Sequence, residues 1–249
     1  MKIKHILTIL GFTIASFVLA SPALAQTLNL DMGEGGGSAT SRILQFLALI
    51  SVLSLAPSIL VMVTSFTRII VVLSLLRSAL GVQQTPPNSV LISLALFLTL
   101  FIMMPVFEES YRVGIEPLIN EQINEMEAFS RGVEPFKTFM LEHTRDKDLG
   151  LFREMAKIDP AVEVDKTPIQ AVIPAFMISE LRRAFEIGFL IFLPFLIIDM
   201  VVASILMSMG MMMLPPAMIA LPFKLIFFVL VDGWYLIAGS LVQSYGTGG

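Results

Sequence analysis

The sequence predicts an all-α, membrane-associated protein in which two long, kinked helical hairpins are joined by a small acidic helical module. First, 56% of the 249 residues are hydrophobic and only 14% are charged, whereas a soluble domain carries about 25% charged residues. Second, several apolar stretches reach the length of about 20 residues that a helix needs to cross a bilayer. Third, the acidic residues are concentrated in Phe107–Pro168, which holds 14 of the 20 and has a net charge of −6.

The chain begins with a segment, residues 1–25, that is typical of a secretory signal peptide. Lys2 and Lys4 precede an apolar core, and Ala23-Leu24-Ala25 forms a small-residue cleavage site. The alternative is an uncleaved first helix. The composition of residues 26–42, which include three consecutive glycines, predicts a flexible linker. Cleavage would leave the mature N-terminus outside the cytoplasm.

The N-terminal hairpin is predicted at residues 43–106. Its first arm contains Arg68 and Arg77, which are costly in hydrocarbon unless they are paired or directed at protein. At about 100° per residue, one face of this helix is polar and consists of Thr64, Thr67, Arg68, Ser74 and Ser78. Such a stripe predicts contact with other helices, and Glu180 or Glu186 are conceivable partners of the arginines. The alternative is that Arg68 reaches a lipid headgroup and the hydroxyls bond their own backbone.

Two predicted turns share the pattern Gly-x4-Pro-Pro, each between two apolar arms. The glycine and prolines of these turns are Gly81, Pro86 and Pro87 in the first hairpin and Gly210, Pro215 and Pro216 in the second. Glycine suits the left-handed position that ends a helix, and proline suits the start of the next helix. The matching turns indicate a weak internal repeat. Chance is the alternative, because Gly and Pro mark most turns.

Residues 107–183 are predicted to form the acidic helical module, on the periplasmic side. Its modest apolar face consists of Phe129, Phe136, Phe139, Met140, Leu149, Phe152 and Met155. Arg182 and Arg183 would then flank the outer end of the third crossing, while the turn at Ser208–Pro216 carries no charge. This arrangement conflicts with the excess of basic residues expected on the cytoplasmic side. The conflict predicts that the hairpins are covered by other protein rather than by lipid alone.

The C-terminal hairpin is predicted at residues 184–249, with charges in both arms. Asp199, Lys224 and Asp232 are expected to form an ion pair that holds the two arms or neighbouring subunits together, because an unpaired charge in an apolar setting costs several kcal/mol. A proton relay is the alternative. The intervening loop contains Met209, Met211, Met212 and Met213. Unbranched thioethers make a mouldable apolar surface, although ordinary helix packing explains the same residues.

No enzyme signature is present. The sequence has no phosphate-binding loop, no Gly-rich dinucleotide fingerprint, no zinc-protease motif and no Gly-x-Ser-x-Gly elbow. The absence of cysteine and the presence of only two histidines argue against a metal cluster. The negative charge of the module argues against nucleic-acid binding. The sequence therefore predicts a non-enzymatic protein without a cofactor.

Three blocks of the chain carry a resemblance to a known family. They are SILVMVTSFTRIIVVLSLLRSALGVQQTPP at Ser58–Pro87, FLPFLIIDMVVASILMSMGMMM at Phe192–Met213 and LPFKLIFFVLVDGW at Leu221–Trp234. These blocks resemble the signatures of the FliP family, the P component of the flagellar type III export gate, which has counterparts in virulence-associated injectisomes. The predicted signal peptide favours the flagellar branch.

The resemblance implies a pore-forming subunit of an oligomeric ring or helical complex in the flagellar basal body of the bacterial inner membrane. The implied partners are further copies of the chain, the Q and R components, the larger export-gate membrane protein and unfolded flagellar subunits in transit. It also implies a methionine-rich constriction, which falls on Met209, Met211, Met212 and Met213. Two alternatives remain at this point: a small secondary transporter or ion channel with repeated hairpins, and a structural scaffold without a pore.

Overall fold

The computed structural model describes residues 46–47, 50–51, 54–55, 58–82, 84–211 and 214–246. The chain divides into two units, Met1–Ile50 and Ser51–Gly249, and the description that follows concerns the second. The predicted signal peptide and linker lie outside the described residues, as do Met212 and Met213.

Every regular element in the described part of the chain is helical, which confirms the predicted all-α class. The α-helices are α1 (Phe66–Leu80), α2 (Asn88–Ser110), α3 (Glu116–Ile119), α4 (Glu125–His143), α5 (Asp146–Met155), α6 (Ile169–Ser208), α7 (Pro216–Leu230) and α8 (Gly233–Gln243). A π-helix at Tyr111–Ile115 joins α2 to α3, and a 3-10 turn at Val164–Lys166 precedes α6.

Among the residues that the structure describes, two helical segments are long and apolar enough to cross a membrane: Asn88–Ile119 with 32 residues and Ile169–Ser208 with 40 residues. Helices α7 and α8 would form a third span if counted together, although they are bent by 62° at the break between them. These lengths exceed the roughly 20 residues required. The chain is therefore a membrane protein of the predicted all-α kind.

The two Gly-x4-Pro-Pro turns have the same conformation at their glycines. Gly81 ends α1 at a φ of 80°, and Gly210 follows α6 at a φ of 73°. A side chain disfavours this left-handed region, which is why glycine occupies both positions. The next helix starts beside the prolines in each case: α2 begins directly after Pro87, and α7 begins at Pro216. Proline is tolerated there because the first helical N–H groups have no partner within the helix.

Helix α6 runs without interruption across the boundary between residues 183 and 184, where the acidic module was predicted to end. It starts at Ile169, directly after Pro168, and contains Pro174 and Pro194 within its length. The stretch between these prolines is rich in Leu, Ile, Phe, Glu and Arg, and its single glycine, Gly188, does not end the helix. One helix therefore belongs both to the module and to the apolar hairpin.

The main core lies where α1 packs against α2 and α6. The residues that form its centre are almost completely buried: Ile69, Val72 and Leu73 of α1, Ala95, Ile102 and Met103 of α2, and Val172, Ala175 and Phe176 of α6. The module joins this core through Phe139, Met140 and Leu149, which are buried as well. Phe129 and Met155, placed on the same predicted apolar face, are 70% and 68% exposed. The apolar face of the module is therefore smaller than its sequence suggests.

The start of the module is held by a close contact between two glycines. A Cβ atom added to Gly114 in the π-helix would lie 2.9 Å from the backbone oxygen of Ala128 and 3.0 Å from the Cα of Gly132. Beside this contact the Ser110 hydroxyl donates a 2.6 Å hydrogen bond to the carbonyl of Gly132. The backbones of the π-helix and α4 can approach this closely only because Gly114 lacks a side chain.

We expect Gly114→Ala to destabilise the protein and Gly132→Ala to be tolerated. The added methyl group of Gly114→Ala meets backbone atoms, which cannot turn aside, whereas that of Gly132→Ala has its nearest neighbour at 3.5 Å. Alanine also favours the helix by about 0.5–1 kcal/mol relative to glycine. Thermal unfolding of the two purified variants in detergent measures the difference. Equal melting temperatures would contradict the close contact.

Candidate functional site

The most buried charges of the described chain form an ion pair between α1 and α6. Arg68 and Glu180 are both fully buried. The Nε atom of Arg68 donates a 2.9 Å hydrogen bond to Oε2 of Glu180, and its Nη2 atom donates to Oε1. This two-point geometry is the strongest arrangement available to a guanidinium and a carboxylate. Of the two carboxylates considered from the sequence, Glu180 is the one that contacts Arg68.

Two residues beyond α8 complete this ion pair. The Nη1 atom of Arg68 donates to the hydroxyl of Ser244 at 2.9 Å and to its backbone carbonyl at 3.3 Å. The Tyr245 hydroxyl donates to Oε2 of Glu180. The guanidinium carbon of Arg68 lies 3.8 Å from the centroid of the Tyr245 ring, within the range of a cation–π contact. The charges on α1 and α6 are therefore also tied to the end of the chain.

Sequence reasoning did not identify Ser244 and Tyr245. Both lie just after an apolar arm, and nothing in their spacing relates them to Arg68, which is 176 residues away from Ser244. The one available signal is the tyrosine itself, because the chain contains only three and a buried tyrosine hydroxyl requires a partner. That signal shows that a partner exists without showing which residue it is.

A second ion pair joins the two arms of the C-terminal hairpin. The Nζ atom of Lys224 in α7 donates to Oδ2 of Asp199 in α6 at 2.6 Å and to the carbonyl of Ala79 at 3.1 Å. Ala79 belongs to the last turn of α1, where carbonyl groups lack helical partners and attract a cation. The side chain of Lys224 is 7% exposed and that of Asp199 is 37% exposed. This pair therefore links α1, α6 and α7.

The other two predicted charges occupy different surroundings. Arg77 donates to Oδ1 of Asn88 at 2.5 Å and to the carbonyl of Pro86 at 3.3 Å, so it bridges the end of α1 and the start of α2. Asp232 lies at the break between α7 and α8 with a φ of 51°, and it is exposed. Within the described residues, no ion pair joins Asp232 to Asp199 or Lys224. The structure thus brings two of the three C-terminal charges together and leaves the third apart.

The polar stripe predicted on α1 was expected either to contact other helices or to bond its own backbone, and the structure shows both. Arg68 bonds α6, whereas the Thr67 hydroxyl donates to the backbone carbonyl of Val61 at 3.1 Å and also lies 3.8 Å from the Met177 sulfur of α6. The Ser78 hydroxyl instead donates to the carbonyl of Ser74 in its own helix, at 3.0 Å. The stripe therefore contacts α6 only near the N-terminal end of α1.

Two methionines of the predicted constriction, Met209 and Met211, are among the described residues, and they lie just after the end of α6. Met209 and Met211 flank Gly210 and are 65% and 41% exposed. Met207 and Met218, which sequence reasoning did not single out, are also exposed, at 59% and 72%. Both belong to the same methionine-rich stretch, so counting methionines on each side of the turn would have found them. Within the subunit, the described part of the turn thus presents its thioethers outward.

A smaller charged cluster, centred on Asp148 of α5, links α5 to α6. Asp148 accepts hydrogen bonds from Nε of Arg145 at 2.9 Å and from the Ser179 hydroxyl at 2.6 Å. Burial by itself would raise the pKa of the Asp148 carboxyl. The hydrogen bonds from Ser179 and Arg145, together with the positive charges of Arg145 and Arg182, outweigh burial and lower the pKa below its ordinary value. The carboxylate form is therefore favoured, and it keeps both donors satisfied.

Comparison with known proteins identifies the family. A sequence model of the FliP family matches residues 49–241. The chain belongs to the FliP family. This match includes all three sequence blocks that carried the resemblance, which is therefore confirmed.

Several curated members of the FliP family are similar to the chain over most of its length. The flagellar biosynthetic protein FliP of Caulobacter vibrioides is 59% identical over 239 residues, which cover 95% of this chain and 90% of that protein. Its counterpart in Rhizobium meliloti is 51% identical and is matched over 97% of its length. That of Bacillus subtilis is 57% identical over 205 residues, 82% of this chain and 93% of the relative.

We expect Glu180→Gln to be far more damaging than Glu186→Gln in the same helix. Glu180→Gln leaves the buried guanidinium of Arg68 without a counter-charge, which costs about 3–5 kcal/mol of folding stability. Glu186 forms a 2.8 Å pair with Arg182 on the exposed face of α6, where water replaces the interaction at little cost. Unfolding of the purified variants in detergent compares the two changes. Similar losses of folding stability in the two variants would show that the buried pair contributes no more than the exposed pair.

Proposed function

We propose that the chain is a pore-forming subunit of the flagellar type III protein export gate. Family membership is the observation that carries this proposal. Curated relatives from three different bacteria are named flagellar biosynthetic proteins, and each is matched over at least 90% of its length. Because the match extends over nearly whole proteins, it supports a shared role rather than a shared domain. The transporter alternative finds no such support.

The subunit belongs to the inner membrane, with the acidic module on the periplasmic side. The two apolar segments at Asn88–Ile119 and Ile169–Ser208 support a membrane location. The signal peptide predicted from the sequence supports the orientation. The residues of the acidic module between the spans are mostly exposed or half-buried, as expected of a segment in contact with water.

The subunit works in an assembly of several copies. The buried charges of Arg68, Glu180 and Lys224 have counter-charges within the chain, in the pairs Arg68–Glu180 and Lys224–Asp199. In contrast, large apolar side chains are exposed along α6 and α7, among them Phe189, Ile197, Phe223 and Val229. Lipid can cover such faces, and so can neighbouring subunits. Internal pairing of the charges leaves these faces free for contacts with sister copies and with the Q and R components.

The methionine turn closes the channel. A conduit for unfolded chains must block ions when it is empty and widen when it is occupied. A ring of apolar side chains resists wetting, and unbranched thioethers repack around varied contents. The outward exposure of Met209 and Met211 in the isolated subunit supports this role. Met212 and Met213 complete the ring in the proposal.

In this proposal the subunit is a passive conduit, and energy supply and substrate selection are functions of other components. The chain contributes no catalysis and requires no cofactor, so the energy for export comes from outside the subunit, and the larger export-gate membrane protein is a partner. Its transient partners are unfolded flagellar subunits. Other components select these substrates, because a flexible ring of apolar side chains does not discriminate between amino-acid sequences.

Deletion of the gene tests the proposed function. We expect cells that lack the chain to stop secreting flagellar subunits and to stop swimming, and expression of the wild-type chain to restore both. Immunoblotting of flagellar subunits in the culture medium measures secretion directly. Normal secretion combined with loss of uptake of a solute would replace the proposal with the transporter alternative.

Replacing Met209, Met211, Met212 and Met213 together by alanine should make the membrane permeable to small ions. The shorter side chains leave a gap at the constriction that water can enter. A cytoplasmic ion-sensitive fluorophore reports the leak. Met200→Ala is the control, because Met200 is 63% exposed on α6, the helix that precedes the turn, but lies outside the turn. An intact barrier in the fourfold variant would favour a scaffold without a pore.

A further inference from the structure

A groove of about 610 Å³ lies between α2 and α4, where the apolar span meets the acidic module. Its floor is apolar and partly aromatic, with Ile102 and Val106 from α2, Phe139 from α4 and Tyr245 from the end of the chain. This volume falls within the range of about 300–1,000 Å³ that is usual for binding pockets. The groove plays no part in the methionine turn described above.

The groove is preformed by contacts at one end and in its floor. The glycine contact between Gly114 and Gly132 holds the π-helix and α4 together at one end. Tyr245, in the floor, contacts both Arg68 and Glu180. These contacts hold its ring in place and keep it from occupying the groove. Pro105 and Pro135 line the middle with short rigid rings. A π-helical segment beside the groove is a feature that often marks functional sites.

The rim of the groove is acidic. Glu109 lies on the α2 side, and Glu134 and Glu142 lie on the α4 side with the exposed Thr138 between them. The lining contains two basic residues, Arg131 and His143. Arg131 is paired with Glu127 outside the lining at 2.5 Å, and Nδ1 of His143 lies 2.8 Å from the carbonyl oxygen of Phe139. In the part of the chain that the structure describes, no ion pair reaches Glu142, and Glu134 has only a 3.4 Å contact with Lys137. Glu109 is already paired with Arg112. The rim carboxylates that remain for a cation are therefore those of Glu134 and Glu142.

These charges discriminate among possible occupants. A phospholipid brings a phosphate, which the carboxylates repel. The acidic module of a second copy has a net charge of −6 over Phe107–Pro168 and is repelled as well. An apolar helix that carries lysine or arginine fits both surfaces: the aliphatic stem lies along the apolar floor and the charged group reaches the rim. The aromatic rings of the floor also favour a nearby cation.

We propose that this groove docks a helix of a different membrane protein, which inserts apolar side chains and places a lysine or arginine between Glu134 and Glu142. Helix-in-groove docking of this type combines apolar burial with charges that select the partner. The identity of the partner as a neighbour in the export gate rests on the proposed function, whereas the chemistry of the groove does not.

A photocrosslinking amino acid at Thr138 in the full-length chain, expressed in its native bacterium, tests the proposal. We expect it to join to a different protein, at a position within one helical turn of a lysine or arginine, as read by mass spectrometry of the crosslinked peptide. Phe129 is the control position, because it lies on the same helix, is 70% exposed and does not line the groove. The same adduct should be absent there.

Charge reversal at the rim supplies the second arm. The double variant Glu134→Lys/Glu142→Lys should lower the yield of the Thr138 adduct about tenfold, which corresponds to about 1.4 kcal/mol of binding. The matched double variant Glu154→Lys/Glu163→Lys changes the charge of the module equally at exposed positions outside the groove and should leave the yield unchanged. Thermal unfolding of both variants checks that the fold is retained.

Four results would overturn the docking proposal: an adduct with lipid only, an adduct with another copy of the chain, a peptide without a basic residue near the crosslink, or equal yields in the two charge-reversed variants. Secretion of flagellar subunits is measured in the same strains and reports separately on the proposed function. If the expected adduct forms but secretion does not depend on the chain, the docking proposal is supported and the proposed function is contradicted.

Discussion

The ion pair between Arg68 and Glu180 is the interaction on which the packing of the subunit depends. Apolar contacts between α1 and α6 are strong but not directional, so they would allow the helices to slide or rotate. The two hydrogen bonds of the pair and those of Ser244 and Tyr245 have defined directions. A buried charge that lost its partner would cost several kcal/mol. The pair therefore selects one register for α1, α6 and the end of the chain.

The same principle operates at the other end of α1. Lys224 bonds Asp199 and the carbonyl of Ala79, so one cation satisfies a side chain and a helix terminus together. Together the two ion pairs and their hydrogen bonds hold α1, α6, α7 and the end of the chain by a few polar contacts. Beyond the exposed Arg182–Glu186 pair, the outer faces of α6 and α7 consist mainly of apolar side chains. This division suits a subunit that must be well defined internally and still offer broad apolar faces to lipid and to neighbours.

The acidic module packs closely against the neighbouring helices at two points and leaves a groove between them. It is tight at Gly114 and Gly132, where backbones approach closely, and at Asp148 and Ser179, where α5 meets α6. Between these points it opens into the groove above Phe139 and Tyr245. Tyr245 belongs both to the groove floor and to the Arg68 network. A partner in the groove would therefore rest directly on the residue that completes the central ion pair.

Much of the molecule follows from the sequence alone. Long apolar arms dictate membrane helices, because backbone groups in lipid must be satisfied within the segment, and the glycines and prolines of the two turns mark where α1 and α6 end. The cost of a buried charge predicted that Arg68, Asp199 and Lys224 have partners. Partner identity depended on tertiary structure, because the partners are separated by 25 to 176 residues and only packing brings them together. For the same reason Tyr245, the groove and the separate position of Asp232 could not be read from spacing: a helical sequence determines which residues share a face, but the angles and contacts between helices decide what that face meets.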